Sequence, residues 1–257
     1  MSIYDQGFYH SKYTDMGRSS ARAVLPTVLE VTRATSIIDV GCGNGAWLAA
    51  ALEAGVETVQ GIDGPWIDEA WLDFPRQHFQ TADLSQSFPS LKRGFDLAVC
   101  LEVGEHLPPQ RATALTQWLT QVAPAVLFSA AVPGQGGTGH VNERWQSSWV
   151  EDFARFGLEP VGDLRATFWQ SDDVAWYYRQ NMLLFVAEGS PAANAPSASP
   201  RAQLPHDVVH PAMWDLKRNE HPVVQALKAL AGRDRVDRLR PWVSRLLGRD
   251  DGVDVRP

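Results

Sequence analysis

Apolar residues along this chain fall into blocks with two alternating rhythms. Residues 36–42 (SIIDVGC), 58–63 (TVQGID), 95–103 (FDLAVCLEV) and 125–132 (AVLFSAAV) are short, nearly continuous apolar runs, the pattern of strands buried on both faces. Residues 78–84 (HFQTADL) make a weaker strand block. Between these lie segments with helical spacing, at 46–54 (AWLAAALEA), 109–122 and 147–156. Gly55 and Gly157 stand just past two of them, where a left-handed C′ residue belongs, and Pro109 opens the third in its first turn. Residues 159–168 and 176–187 read as two last strands, and the lack of a long helix between them predicts an antiparallel pair. The whole pattern predicts an α/β fold, a doubly wound, mostly parallel seven-stranded sheet with helices on both faces.

Appendages flank this core. Residues 1–35 form an aromatic-rich N-terminal segment with a helix over 19–31, expected to lie over the core's ligand crevice as a lid. The sheet domain occupies 36–188. Residues 189–203 (GSPAANAPSASPRAQ) read as a linker, and 204–257 as a helical tail. In that tail Val236, Leu239, Trp242, Val243, Leu246 and Leu247 recur at helical spacing, with arginines largely off the stripe. Such a face is expected to dock on protein, including a second copy of the chain as a homo-oligomer.

The 257 residues, 44% hydrophobic, suffice for one sizeable core. A formal net charge of -7 gives no long-range attraction to nucleic acid, so no nucleic-acid partner is expected. Cys42 and Cys100 lie in apolar strand blocks and suit a reducing compartment. No stretch approaches the roughly 18 apolar residues of a transmembrane segment, and the first residues lack a signal-like run, so a cytoplasmic protein is expected.

The chemistry concentrates where the first strand block turns into a helix, IIDVGCGNGAWL at 37–48. Glycines at 41, 43 and 45 permit a tight turn and close approach of a ligand, and the following helix N-terminus offers unpaired N–H groups. Asp63 ends the next strand, where a carboxylate can accept from both hydroxyls of a ribose. Gly41, Gly43 and Ala46 also fit the dinucleotide pattern G-x-G-x-x-G/A, so the loop alone leaves open a nicotinamide-dependent oxidoreductase.

Further features narrow this. Asp39 precedes Gly41 by two, Asn44 and Gly45 follow as a pair, and Asp83 with Leu84 ends the third strand block. Together these resemble the class I S-adenosylmethionine-dependent methyltransferases, over about residues 36–188. The resemblance implies S-adenosyl-L-methionine as the methyl donor. Gly41, Gly43 and Gly45 would line its methionine and ribose part, with Asp39 supporting the loop, Asp63 holding the ribose, and Asp83 accepting from adenine beside Leu84 or Ile62.

After the fourth strand the chain reads CLEVGEHL, at 100–107, which resembles the E-x-x-E-H run of many small-molecule methyltransferases. The crevice of an open α/β sheet lies beyond the strands' carboxyl ends, so Glu102, Glu105 and His106 are expected beside the donor, with Glu102 on the cofactor side. His106 is the natural general base, assisted by Glu105 and by His140 from the loop GQGGTGHVNE after the fifth strand. If Glu102, Glu105, His106 and His140 converge they could hold a divalent cation such as Mg²⁺. A similar arrangement binds metal in the small-RNA 2′-O-methyltransferases, which makes RNA the alternative acceptor. The aromatic second half, with Trp145, Trp149, Trp169, Trp176, Tyr177 and Tyr178, and polar Asn142, Glu143 and Arg165, suits a small-molecule acceptor with a sugar or phenolic hydroxyl. The expected activity is therefore O-methylation of a small metabolite.

Overall fold

The computed structural model describes residues 12–91, 94–190, 192–193 and 204–218. The apolar stripe at 236–247 lies outside these residues, as do residues 191 and 194–203 of the expected linker and Tyr4, Phe8 and Tyr9, which with Tyr13 are the aromatics expected to face the cofactor from the N-terminal segment.

Seven strands form one sheet: β1 Ser36–Val40, β2 Thr58–Asp63, β3 Phe79–Thr81, β4 Leu97–Leu101, β5 Ala125–Ser129, β6 Leu158–Pro160 and β7 Leu183–Ala187. Their order is β3-β2-β1-β4-β5-β7-β6. The pairs β3–β2, β2–β1, β1–β4 and β4–β5 are parallel, whereas β7 runs antiparallel between β5 and β6. The strand order reverses between β1 and β4, and such a switch point opens a crevice at the carboxyl ends. The seven-stranded, mostly parallel α/β sheet is thus the architecture expected from the apolar pattern.

Period-two alternation sends neighbouring residues to opposite faces. Ile37, Leu97, Val99 and Leu127 join a core under helices α1 Lys12–Thr32 and α2 Ala46–Glu53. Ile38, Ala98, Cys100 and Val126 join a second core under α3 Pro109–Val122 and α4 Gln146–Ala154. Cys42 and Cys100 are both buried free thiols. Among the described residues no helix is long and apolar enough to cross a membrane.

The pattern misread two segments. Of the block at 159–168 only the first two residues are strand, as the end of Leu158–Pro160, and Leu164–Phe168 is a helix, α5. Asp163 caps it, its carboxylate accepting from the N–H groups of Arg165 and Ala166. Likewise Trp176–Asn181 is a helix, α6, and only Leu183–Ala187 is strand. The aromatic run Trp176-Tyr177-Tyr178 has strand propensity, but α6 seats Tyr178 edge-on against Trp47 and buries Gln180 and Asn181. The N-terminal helix begins earlier than 19, and α2 packs against it. Helix α7 Pro211–Arg218 closes the described chain.

Candidate functional site

The loop after β1 is shaped by what stands behind it. Gly41 (φ 80°) and Gly45 (φ 85°) occupy left-handed backbone, and a Cβ there would collide with Val103 and Phe74 respectively. The N–H groups of Gly41 and Cys42 both donate to the Ile62 carbonyl, at 2.8 and 3.1 Å. Asp63 accepts from Gly43 N at 2.7 Å, Gly64 N at 2.6 Å and Trp66 Nε1 at 2.9 Å. The carboxylate expected to serve a ribose therefore also braces the glycine loop, and burial pushes its pKa up against these three bonds. Asp39 is buried with Oδ2 unpartnered, and desolvation plus the nearby Asp63 charge raise its pKa well above the usual range.

Three contacts that the sequence did not point to hold this half in place. Asn44 and Asp73 clasp each other, Asn44 Nδ2 donating to Asp73 Oδ2 at 2.7 Å and Asp73 N to Asn44 O at 2.8 Å. Arg18 of α1 ion-pairs with the same Asp73, tying the N-terminal helix to the loop. Across the crevice, Arg111 Nε and Nη2 donate to the Leu84 carbonyl at 3.2 and 2.8 Å while its guanidinium lies 3.9 Å from the Phe88 ring centre. Trp66, 37% exposed at the mouth beside Asp63, is the aromatic that sequence reading missed. Asp83 lies beyond β3 rather than at its end, its Oδ1 accepting from Ser85 N and Oγ. Ile62 is fully buried in the core and has no face left for a ring, while Leu84 is 7% exposed.

The second half of the site forms where β4 and β5 end. Glu102 leaves β4 with φ 55°, rare for a side-chain-bearing residue, and a short turn Gly104–His106 follows. The Glu105 carbonyl accepts from Val141 N and Asn142 N, which lays the His140 loop on this turn. Glu105 is fully buried; its Oε1 accepts from Ala131 N at 3.2 Å and its Oε2 has no partner. Burial and the Glu102 charge raise its pKa well above the usual range. The His106 and His140 rings meet edge-on, 4.8 Å apart. One ligand atom from each of Glu105, His106 and His140 lies within 4.8 Å of the others. Glu143 accepts from Gly134 N and Gly136 N and sits 3.3 Å from His140 Nδ1, which leaves His140 Nε2 4.0 Å from Glu105 Oε1. Burial and the neighbouring His140 charge lower the His106 pKa to about 4, against a hydrogen bond to the Gly139 backbone, so it is neutral at pH 7.

Three of the four residues expected to converge thus do so. Glu102 is the exception: Gln135 Nε2 and Asn181 Nδ2 hold its oxygens at 3.1 and 3.2 Å, so that it adjoins the Glu105 carboxyl without belonging to the Glu105–His106–His140 group. Arg165, expected among the acceptor's anchors, is instead buried and bonded to Asp163 and to the His206 carbonyl. Trp149 is core, whereas Trp145 is 41% exposed.

A sheet that reverses at β1/β4, with a glycine loop and buried acids at the switch point, has the crevice of the nucleotide-binding α/β class. A family model described as a methyltransferase domain matches residues 14–178, and the chain belongs to that family of S-adenosylmethionine-dependent enzymes. This removes the nicotinamide alternative. The tRNA U34 carboxymethyltransferase of Pseudomonas paraeruginosa is 32% identical over 121 residues, 43% of this chain and 37% of that protein. The chain thus spans little more than a third of that curated relative. Among solved structures, a sugar N-methyltransferase from a Streptoalloteichus species superposes with TM-score 0.54 at 17% identity, covering 73% of this chain and 96% of that one. A magnesium protoporphyrin IX methyltransferase from Synechocystis with bound S-adenosylhomocysteine gives TM-score 0.50 at 18% identity, covering 72% and 90%.

Proposed function

We propose that this methyltransferase acts on a hydroxyl of a small metabolite, with the donor over the Gly41–Gly45 loop and the acceptor beside His106 and His140. When bound, S-adenosylmethionine supplies a methyl group on a positively charged sulfur. The residues of this chain then have separable tasks. The glycine loop, Asp39 and Asp63 take the methionine and ribose, with Asp83 and Leu84 at the adenine end. Glu102, at the carboxyl end of β4, borders the methionine end. Positioning donor and acceptor together supplies most of the acceleration, and the hydroxyl proton passes to neutral His106, with Glu105 and His140 orienting it. The observation that carries this reading is the edge-on pair of imidazoles beside a buried carboxylate, placed where β4 and β5 end. The net charge of -7 favours a small acceptor over RNA. The test is a screen of sugars and phenols with radiolabelled methyl donor, with a tRNA pool as one arm. Label in hydroxylated small molecules, lost by about 10²–10⁴-fold in His106→Ala with S-adenosylhomocysteine binding retained, is expected. Label in tRNA alone would refute it.

The orphaned Glu105 Oε2 favours a second reading of the same cluster, as a divalent-cation site. Two imidazoles and one carboxylate suit Mn²⁺, Fe²⁺ or Zn²⁺ better than the Mg²⁺ expected for a cluster that also included Glu102. Glu105, His106 and His140 would hold the ion, and it would lower the pKa of a bound hydroxyl. Calorimetric titration with Mn²⁺, and activity surviving or failing in excess chelator, decide between the two.

A further inference from the structure

Residues 204–218 follow the linker, lie beyond the part matched by the family model, and return to the catalytic face. They are fastened to it at successive positions. Leu204 N donates to Asp163 Oδ2 at 2.6 Å, the His206 carbonyl accepts from buried Arg165, and Asp207 caps α4 through Ser147 N and Oγ. The Val208 carbonyl accepts from Gln146 Nε2 at 2.9 Å. His210, 7% exposed, is pinned by both ring nitrogens. Its Nδ1 accepts from Ala212 N at 3.1 Å and caps α7, so the proton sits on Nε2, 3.0 Å from the Trp169 carbonyl.

Two routes lead from this strap to the site. One is an amide relay. His210 N donates to Gln180 Oε1 at 2.8 Å, Gln180 Nε2 to Gln135 Oε1 at 2.9 Å, and Gln135 Nε2 to Glu102 Oε2 at 3.1 Å. Gln180 is fully buried and Gln135 nearly so, so each amide has one workable orientation and the relay fixes Glu102. The other route is direct packing. Buried Met213 lies over Gly134, its Cε 3.8 Å from where a Cβ would stand, and Lys217 Nζ lies 3.0 Å from the corresponding point on Gly136. Gly134 and Gly136 are the residues whose N–H groups orient Glu143, the partner of His140.

We propose that residues 204–218 are a working wall of the catalytic site: from outside the sheet domain they position the His140 loop and, through Glu102, one edge of the donor's methionine end, leaving the Gly41–Gly45 loop independent. The proposal deepens the reading of the Glu105–His106–His140 cluster as the acceptor side. A strap of this kind makes acceptor binding depend on chain beyond the family's shared domain, whereas the Gly41–Gly45 loop is braced by β1, β2 and α1.

The test uses the full chain, wild type against His210→Ala, Met213→Asp and His210→Asn. Hydrogen exchange reports on the 133–142 loop, and calorimetry reports on S-adenosylhomocysteine and Mn²⁺. His210→Ala and Met213→Asp should speed loop exchange by about tenfold or more and weaken any Mn²⁺ binding similarly, with S-adenosylhomocysteine affinity falling by less than about fivefold, since Glu102 alone among the donor's residues is reached by the relay. His210→Asn keeps an acceptor for Ala212 N–H and should stay close to wild type. Unchanged loop exchange in both release variants overturns the proposal, as does parallel loss of S-adenosylhomocysteine binding, which would mark general unfolding. If the wild type takes up no Mn²⁺, the cation reading of the cluster fails, and the loop's exchange alone decides the role of the strap.

Discussion

Asp63 gives the sharpest test of how the donor loop is built. Its carboxylate collects three N–H groups, from Gly43, Gly64 and Trp66. Replacement by Ala removes all three bonds, each worth about 1.5–3 kcal/mol when the acceptor is charged. The loss is not the full sum. Trp66 is 37% exposed, so its N–H regains water, and the buried carboxylate already carries a desolvation cost that raises its pKa. The Gly64 N–H is left buried and unsatisfied, a penalty of about 1–3 kcal/mol. Asp63→Ala should therefore destabilise the fold by about 2–4 kcal/mol, a fall in Tm of roughly 5–12 °C for a chain of this size. With the loop unbraced and the ribose acceptor gone, S-adenosylhomocysteine affinity should drop about 10–100-fold, or about 1.4–2.8 kcal/mol. Asp63→Asn keeps one oxygen for the loop and should recover most of the stability but little of the affinity. Differential scanning fluorimetry and isothermal calorimetry read the two losses separately. An Asp63→Ala protein that melts with the wild type and binds S-adenosylhomocysteine within twofold would refute the reasoning.

Two further outcomes follow from the same face. Asp39 is buried with a raised pKa, so between its unfolded value and its folded value the native state holds more protons than the unfolded one, and stability falls as pH rises through that window. Asp39→Asn removes the slope: relative to wild type it should gain Tm progressively as pH rises above the ordinary carboxylate range while losing donor affinity, and a pH-independent difference would contradict this. Arg18→Ala frees Asp73 from α1 and loosens the Asn44 clasp, so S-adenosylhomocysteine affinity should fall severalfold, about 0.5–1.4 kcal/mol for a partly exposed pair; calorimetry showing no change would make the contact one of stability alone.

The sequence by itself determined the sheet and the position of its crevice. Runs such as Ser36–Val40 and Leu97–Leu101 are apolar on both faces, which only a sheet covered by helices can satisfy, and the glycines at 41, 43 and 45 mark the turn at its edge. Local chemistry also carried signals that went unread, notably Asp163 as a helix cap within what looked like a strand. What remained hidden depends on residues far apart in the chain. Whether Glu102 would join Glu105, His106 and His140 could not follow from an E-x-x-E-H spacing, because Gln135 and Asn181 claim its oxygens from other elements. Nor could any periodicity show that 204–218 lies against the 133–142 loop, since that contact rests on single pairings such as His210 with Gln180 and Met213 with Gly134. Apolar period is a property of neighbouring residues and survives in the sequence, whereas the ownership of each buried hydrogen bond is settled only when the elements close on one another.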